Sequence, residues 1–165
     1  MLQIYESGMT FGSYRPEQVY KIENSQVHSY VGTGVKSVEF VLLRGENKIF
    51  FIEAKSSSPK SETSWERYQE FIDEISEKFI HSFDMLCALY LGRLDDEGEM
   101  GEELKALSCS EADFIFVLVI RGHKTAWLLP LQEELNRKLR FHHSIWKSRV
   151  IVMNDEIAKD YHLII

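Results

Sequence analysis

Apolar residues crowd into short runs along this chain, and their spacing separates strands from helices. The runs KSVEFVLL (residues 36–43) and KIFFIEAK (48–55) are rich in β-branched and aromatic side chains and are joined by RGEN, which predicts a β-hairpin. Both are apolar at successive positions, so cover on both faces is expected. Further on, Trp65, Tyr68, Ile72, Ile75, Phe79, Phe83, Leu86 and Tyr90 recur at intervals of three and four, the stripe of one long amphipathic helix. Thr63 or Ser64 suits its N-cap. DFIFVLVIRG (113–122) predicts a buried strand, and LPLQEELNRKLRFHHSIW (129–146) a second amphipathic helix opening near Pro130. RVIVMN (149–154) predicts a last strand and DEIAKDY (155–161) a terminal helical turn.

The first thirty residues are less regular. LQIYE (2–6) predicts a short strand, and SGMTFGSYRP (7–16) a Gly-containing loop. Pro16 suits a first helical position, and Val19, Ile22, Gln26 and Tyr30 then predict a helix over 17–30, ended by VGTG. SSSPKSETS (56–64) reads as a polar loop, and residues 92–112 as an acidic loop or short helical excursion. The latter is no calcium loop: counted from Asp95, the sixth position is Met100, where such a loop needs Gly. The element order predicts an α/β domain with a mixed sheet.

Composition narrows the class. At 165 residues, 44% hydrophobic and 27% charged, the chain is expected to form a single globular domain. The longest apolar run, FIFVLVI, is too short to span a bilayer, and the N-terminus lacks the pattern of a signal peptide. No membrane association is therefore expected. Cys87 and Cys109 form no CxxC pair, which points to a reducing cytoplasm. The net charge of −7 argues against a broad non-specific nucleic-acid binder, yet residues 121–149 carry seven basic and two acidic side chains. That segment offers a local anion-binding face or a solvated helix surface.

The candidate chemistry sits at the end of the second hairpin strand. Strand periodicity is two, so Glu53 and Lys55 project from one face. With the turn closing at Gly45 and Glu46, Glu39 lies opposite Glu53 or its immediate neighbour, and a slip of one residue would reverse its facing. Two carboxylates that close need a cation between them. Mg²⁺ suits such a site, since it takes one or two carboxylates, a backbone carbonyl and several waters. Water activated there, beside Lys55, can attack a phosphorus atom.

VEFVLL followed by FIEAK resembles the PD-(D/E)xK nuclease superfamily, in which an acidic residue on one strand precedes an E-x-K triplet on the next. Glu39 matches the first acid, as Glu rather than the commoner Asp and without the preceding Pro; Glu53, Ala54 and Lys55 match the triplet. The resemblance covers residues 17–121. It implies a restriction-endonuclease-like α-β-β-(β)-α-β core, with a mixed central sheet flanked by helices. It also implies that Glu39, Glu53 and the Ala54 carbonyl hold Mg²⁺ or Mn²⁺ while Lys55 positions or activates the water. Glu23 is the candidate for the Glu many members add from the preceding helix, and Gln69 for a Gln or Lys from the following one. The implied activity is metal-dependent phosphodiester hydrolysis of nucleic acid, DNA foremost, with Lys36, Lys60 and the basic segment aiding phosphate approach.

A rival expectation is a nuclease-like fold without catalysis, serving as a binding or assembly module; the acidic net charge and the absence of an attached DNA-reading domain favour it. A homodimer or an unidentified protein partner stays open. Glu53 and Lys55 also read as a surface ion pair at a fraying strand end, Glu23 as a solvated carboxylate and Gln69 as a polar flank. Ser56, Ser57 and Ser58 read as turn residues, and Trp65, Trp127 and Trp146 as packing. His142 and His143, adjacent in sequence and unpaired with any second cluster, do not read as a zinc site.

Overall fold

The two densest apolar runs are central strands of the main sheet. In a computed structural model, which describes residues 1–165, the strands are β1 (Leu2–Glu6), β2 (Met9–Tyr14), β3 (Val19–Tyr20), β4 (Phe40–Arg44), β5 (Lys48–Lys55), β6 (Asp113–Ile120) and β7 (Arg149–Asn154). The helices are α1 (Gln26–Val31), α2 (Trp65–Tyr90), α3 (Glu102–Ala106), α4 (Thr125–Lys138), α5 (Arg140–Trp146) and α6 (Asp155–Asp160). A five-stranded mixed sheet runs in the order β3-β4-β5-β6-β7, flanked by helices, and β1 and β2 form a separate hairpin. β3, β4 and β5 pair antiparallel, whereas β5, β6 and β7 pair parallel. Each parallel pair needs a crossover, supplied by α2 between β5 and β6 and by α4 and α5 between β6 and β7. No helix is long and apolar enough to cross a membrane.

Strand alternation divides the core in two. Ile49 and Phe51 of β5, with Phe114, Phe116 and Leu118 of β6, face α2 and α4. Phe50, Ile52 and Ala54, with Ile115, Val117 and Val119, face the β1–β2 hairpin and the C-terminal segment. Phe116 is the centre of the first layer, stacked on Phe79 at 4.8 Å and edge-on to Phe51 at 5.2 Å. α2 spans the run the apolar stripe predicts, and the Ser64 hydroxyl caps it by accepting from the Arg67 N–H at 3.4 Å.

Four expectations are corrected. Residues 7–16 are not a loop: Ser7 and Gly8 both take positive φ (51° and 77°), the requirement of a two-residue type I′ turn, and Glu6 then pairs with Met9. Met9, Phe11 and Tyr14 of β2 are buried. The helix expected over 17–30 is only α1, preceded by a 3-10 turn (Pro16–Gln18) and β3. Pairing of Val19 and Tyr20 with Leu42 and Val41 overrides the helical spacing, and the Ser25 hydroxyl opens α1 late by accepting from the His28 N–H.

α4 begins at Thr125, five residues before Pro130, and the helical run breaks at Leu139. The Trp127 N–H bonding the Lys124 carbonyl at 2.9 Å closes its first turn, so the ring of Pro130 sits inside the helix. The strand expected over 36–43 begins at Phe40, because α2 takes the backbone donors upstream. Lys36 N–H donates to His81 Nδ1 (3.0 Å) and Val38 N–H to Ser82 Oγ (2.8 Å).

Truncating the fully buried Phe116 to Ala is expected to cost about 3–5 kcal/mol, the usual range for removing a core phenyl ring. Urea denaturation of the two proteins measures it.

Candidate active site

Positions 49, 51, 53 and 55 of β5 alternate onto the face that packs under α2, so the last two carry their charges toward a covered surface. Glu53 has no exposed surface, and the Lys55 side chain is about a quarter exposed (26%). Phe40 pairs with Ile52, and continuing that register sets Glu39 opposite Glu53; the Glu39 N–H donates to the Ile52 carbonyl at 3.0 Å. Glu39 lies in the bend just ahead of β4 rather than within a strand.

A buried carboxylate needs a partner, and Glu53 draws one from α2. Lys78 Nζ donates to Glu53 Oε1 at 2.7 Å, and Lys55 Nζ stands 3.5 Å from the same oxygen. Lys55 is held from its other side by Glu74 Oε1 at 3.2 Å. Glu53 Oε2 is buried with no hydrogen-bond partner. Burial raises the pKa of Glu53, opposed by the charges of Lys78 and then Lys55. Burial pulls Lys78 down, but Glu53 outweighs it and the ammonium titrates above its ordinary value.

Beside this pair lies a cluster of acids. Glu6 at the end of β1, Glu23 between β3 and α1, and Glu39 each place a carboxylate oxygen within 4.8 Å of the others. The backbone at Glu23 is anchored by the His28 ring, whose nitrogens lie 2.6 Å from the Glu23 carbonyl and 2.7 Å from that of Val35. Burial, a hydrogen bond with Glu23 and the charge of Glu53 push Glu39 up to about 9. Burial and then Glu23 raise Glu6 as well, against Lys21 and Lys78.

Two features bear on whether such a set could hold a divalent ion. Ligand oxygens about 2.1 Å from Mg²⁺ lie at most about 4.2 Å apart, and the three carboxylate oxygens lie within 4.8 Å of one another. Glu53 Oε2 is also a buried acceptor without a donor. The grouping differs from the expected Glu39, Glu53 and Ala54. The close trio is Glu6, Glu23 and Glu39, while Glu53 is engaged by Lys78 and the Ala54 carbonyl accepts from Ser7 Oγ at 3.0 Å.

Glu23 joins the cluster from a turn, not from a helix. Gln69 does not join it. Nine residues before Lys78 on α2, it points to the opposite side of the helix (nine steps of about 100°), where it lines a shallow cleft with Glu134, Arg137 and Lys138. His142 and His143 turn Nδ1 toward the same Ser148 hydroxyl, at 2.8 and 2.7 Å. Of the expected phosphate-facing lysines, Lys36 pairs with Glu77 at 2.8 Å and Lys60 sits over the Trp127 ring.

Sequence reasoning missed Glu6, Lys78 and Ser7. Lys78 flanks the apolar stripe of α2, four residues after Glu74, and its spacing resembles that of any solvated helix lysine. Glu6 and Ser7 were concealed by the unrecognised Ser-Gly turn.

No family model, no curated protein and no solved structure matches the chain. Its reading therefore rests on the geometry above.

The acid cluster has a pH signature. Glu39 binds its proton more tightly when folded, so between its ordinary value of 4.5 and about 9 the folded state carries more protons than the unfolded one. Stability is fully expressed below that window and falls as pH rises through it. In EDTA, the melting temperature is expected to drop between pH 5 and pH 9, and Glu39→Gln is expected to flatten the drop. Melting curves across that range measure both.

Proposed function

We propose that the chain is a small nuclease-like enzyme of the restriction-endonuclease-like kind, which hydrolyses phosphodiester bonds in nucleic acid, DNA foremost, with Mg²⁺ or Mn²⁺. The observation that carries this reading is the meeting of three carboxyl groups with a buried, half-satisfied Glu53 and two lysines at the end of one central strand. The element order supports it too: an antiparallel meander (β3-β4-β5), a long helix, then a strand parallel to β5.

Glu6, Glu23 and Glu39 would hold the ion, with Glu53 Oε2 as the buried acceptor beside them. The ion supplies Lewis acidity, offsetting phosphate charge and making water more acidic. Lys55, partly exposed and steadied by Glu74, orients the attacking water and meets the developing charge. Lys78 holds Glu53 in place and favours its ionised form, against the burial that raises its pKa. Arg121, whose backbone N–H bonds the Lys55 carbonyl and whose guanidinium lies against Gly8, is a cation at the rim available to phosphate.

A second reading has one observation in its favour. The 2.7 Å Glu53–Lys78 pair already satisfies part of the site without a metal, as in a nuclease-like fold serving as a binding or assembly module.

Two measurements separate the readings. With Mn²⁺ and a panel of DNA and RNA substrates, wild type is expected to cleave, while Lys55→Ala and Glu53→Ala lose on the order of 100-fold in rate. Equal activity in all three sinks the assignment. Millimolar Mn²⁺ is expected to raise the melting temperature of wild type but not of Glu39→Ala, since an ion that binds only the folded state stabilises it. No shift and no cleavage would favour the binding module.

A further inference from the structure

A cavity of about 160 Å³ opens between the segments that leave β5 and β6. Its walls include Ser58, Lys60, Tyr68, His123, Trp127 and Leu131. Lys55 and Ile120, the paired last residues of those strands, each stand three residues from a wall residue, Ser58 and His123. Three residues span at most about 10 Å, so the cavity and the E-x-K end of β5 share one end of the sheet. That end, outside the carboxyl termini of parallel strands, is where open α/β sheets bind ligands.

Charge and aromaticity meet there in an unusual way. Lys60 Nζ lies 4.2 Å and Lys124 Nζ 4.9 Å from the centre of the Trp127 ring. Neither ammonium is in an ion pair. Two cations gathered at one indole repel each other, and the cation–π attraction offsets only part of that. An anion between them would relieve the rest. His123, packed edge-on against Trp127 at 5.2 Å, is held below its ordinary pKa by burial and by Lys60, so it presents a neutral ring. Ser58, Ser61 and Tyr68 add polar atoms to the wall, which also carries one acid, Glu62.

We infer that this cavity seats one unstacked nucleoside of a nucleic-acid strand. The base takes the place of the Lys60 ammonium over Trp127, and Lys60 and Lys124 flank its phosphate. The inference rests on the nuclease reading for its substrate and adds the form in which that substrate is taken. A base inside a duplex cannot enter a cavity of this size without leaving its stack, so the preferred substrate is single-stranded or locally unpaired.

Fluorescence anisotropy in EDTA, where cleavage is suppressed, tests the seat. The probe is a labelled ten-nucleotide oligothymidine, set against its duplex with oligoadenosine and against free thymidine monophosphate as competitor. The single strand is expected to bind at least about tenfold tighter than the duplex, and Trp127→Leu to lose about tenfold. Trp127→Phe, which keeps an aromatic face, is expected to recover most of that loss and so excludes simple misfolding. Replacing Lys60 and Lys124 together by Ala is expected to reduce the slope of log affinity against log salt by about 0.7, the value for the one phosphate they share.

Equal binding of strand and duplex, or an unchanged Trp127→Leu protein, overturns the proposal. Competition by the free nucleotide as strong as by the strand would assign the cavity to a mononucleotide and overturn the strand seat. The two readings fail separately. Binding by wild type without Mn²⁺-dependent cleavage removes the nuclease but keeps the seat. Cleavage with an unchanged KM in Trp127→Leu removes the seat but keeps the nuclease.

Discussion

The structure turns on a carboxylate with no access to water. Glu53 ends the apolar half of β5 under α2, and the cost of burying its charge is offset in part by Lys78 and, more weakly, Lys55. Lys78 reaches it because α2 crosses that face with its stripe of Ile75, Phe79 and Phe83 set on the sheet. The same packing that stacks Phe79 on Phe116 therefore delivers the ammonium to Glu53. Core and site are parts of one arrangement. Glu74, on the same side of the helix, then holds Lys55 at the opening.

Around Glu53 the charge balance is deliberately unfavourable by the standards of an ordinary surface. Glu6, Glu23 and Glu39 arrive from three separate segments, and their carboxyl oxygens lie within 4.8 Å of one another. Burial, and then the neighbouring acids Glu23 and Glu53, push Glu39 up to about 9. A carboxyl group whose pKa lies that far above its ordinary value marks a candidate functional position, and the unpartnered Glu53 Oε2 lies in the same charged region. Lys60, in the wall of the cavity at the carboxyl ends of β5 and β6, and Lys124, at the same Trp127 ring, bring positive charge to that end of the sheet.

How much of this was legible depended on whether the signal was local. The β4–β5 hairpin and the whole of α2 were readable, since long apolar runs and an unbroken stripe of three- and four-residue steps leave one solution. The facing of Glu53 and Lys55 followed from strand periodicity, and the position of Glu39 from the turn at Gly45. The 17–30 segment was misread because Val19 and Ile22 sit at helical spacing, yet a free edge of β4 captures Val19 and Tyr20. Residues 7–16 were misread because their Gly content outweighed the alternation of Met9, Phe11 and the turn pair Ser7-Gly8.

What the sequence alone determined was the sheet's centre, its covering helix and the two charges at the end of β5, because these depend on the period of the backbone and on burial. What only the tertiary structure decided was the company those charges keep. Glu6, Glu23 and Lys78 lie far from Glu53 along the chain and carry no spacing that marks them. Gln69, four residues after Trp65, shares the helix with Lys78 yet points away. Local periodicity says which face a residue takes; only packing says which other segment meets that face.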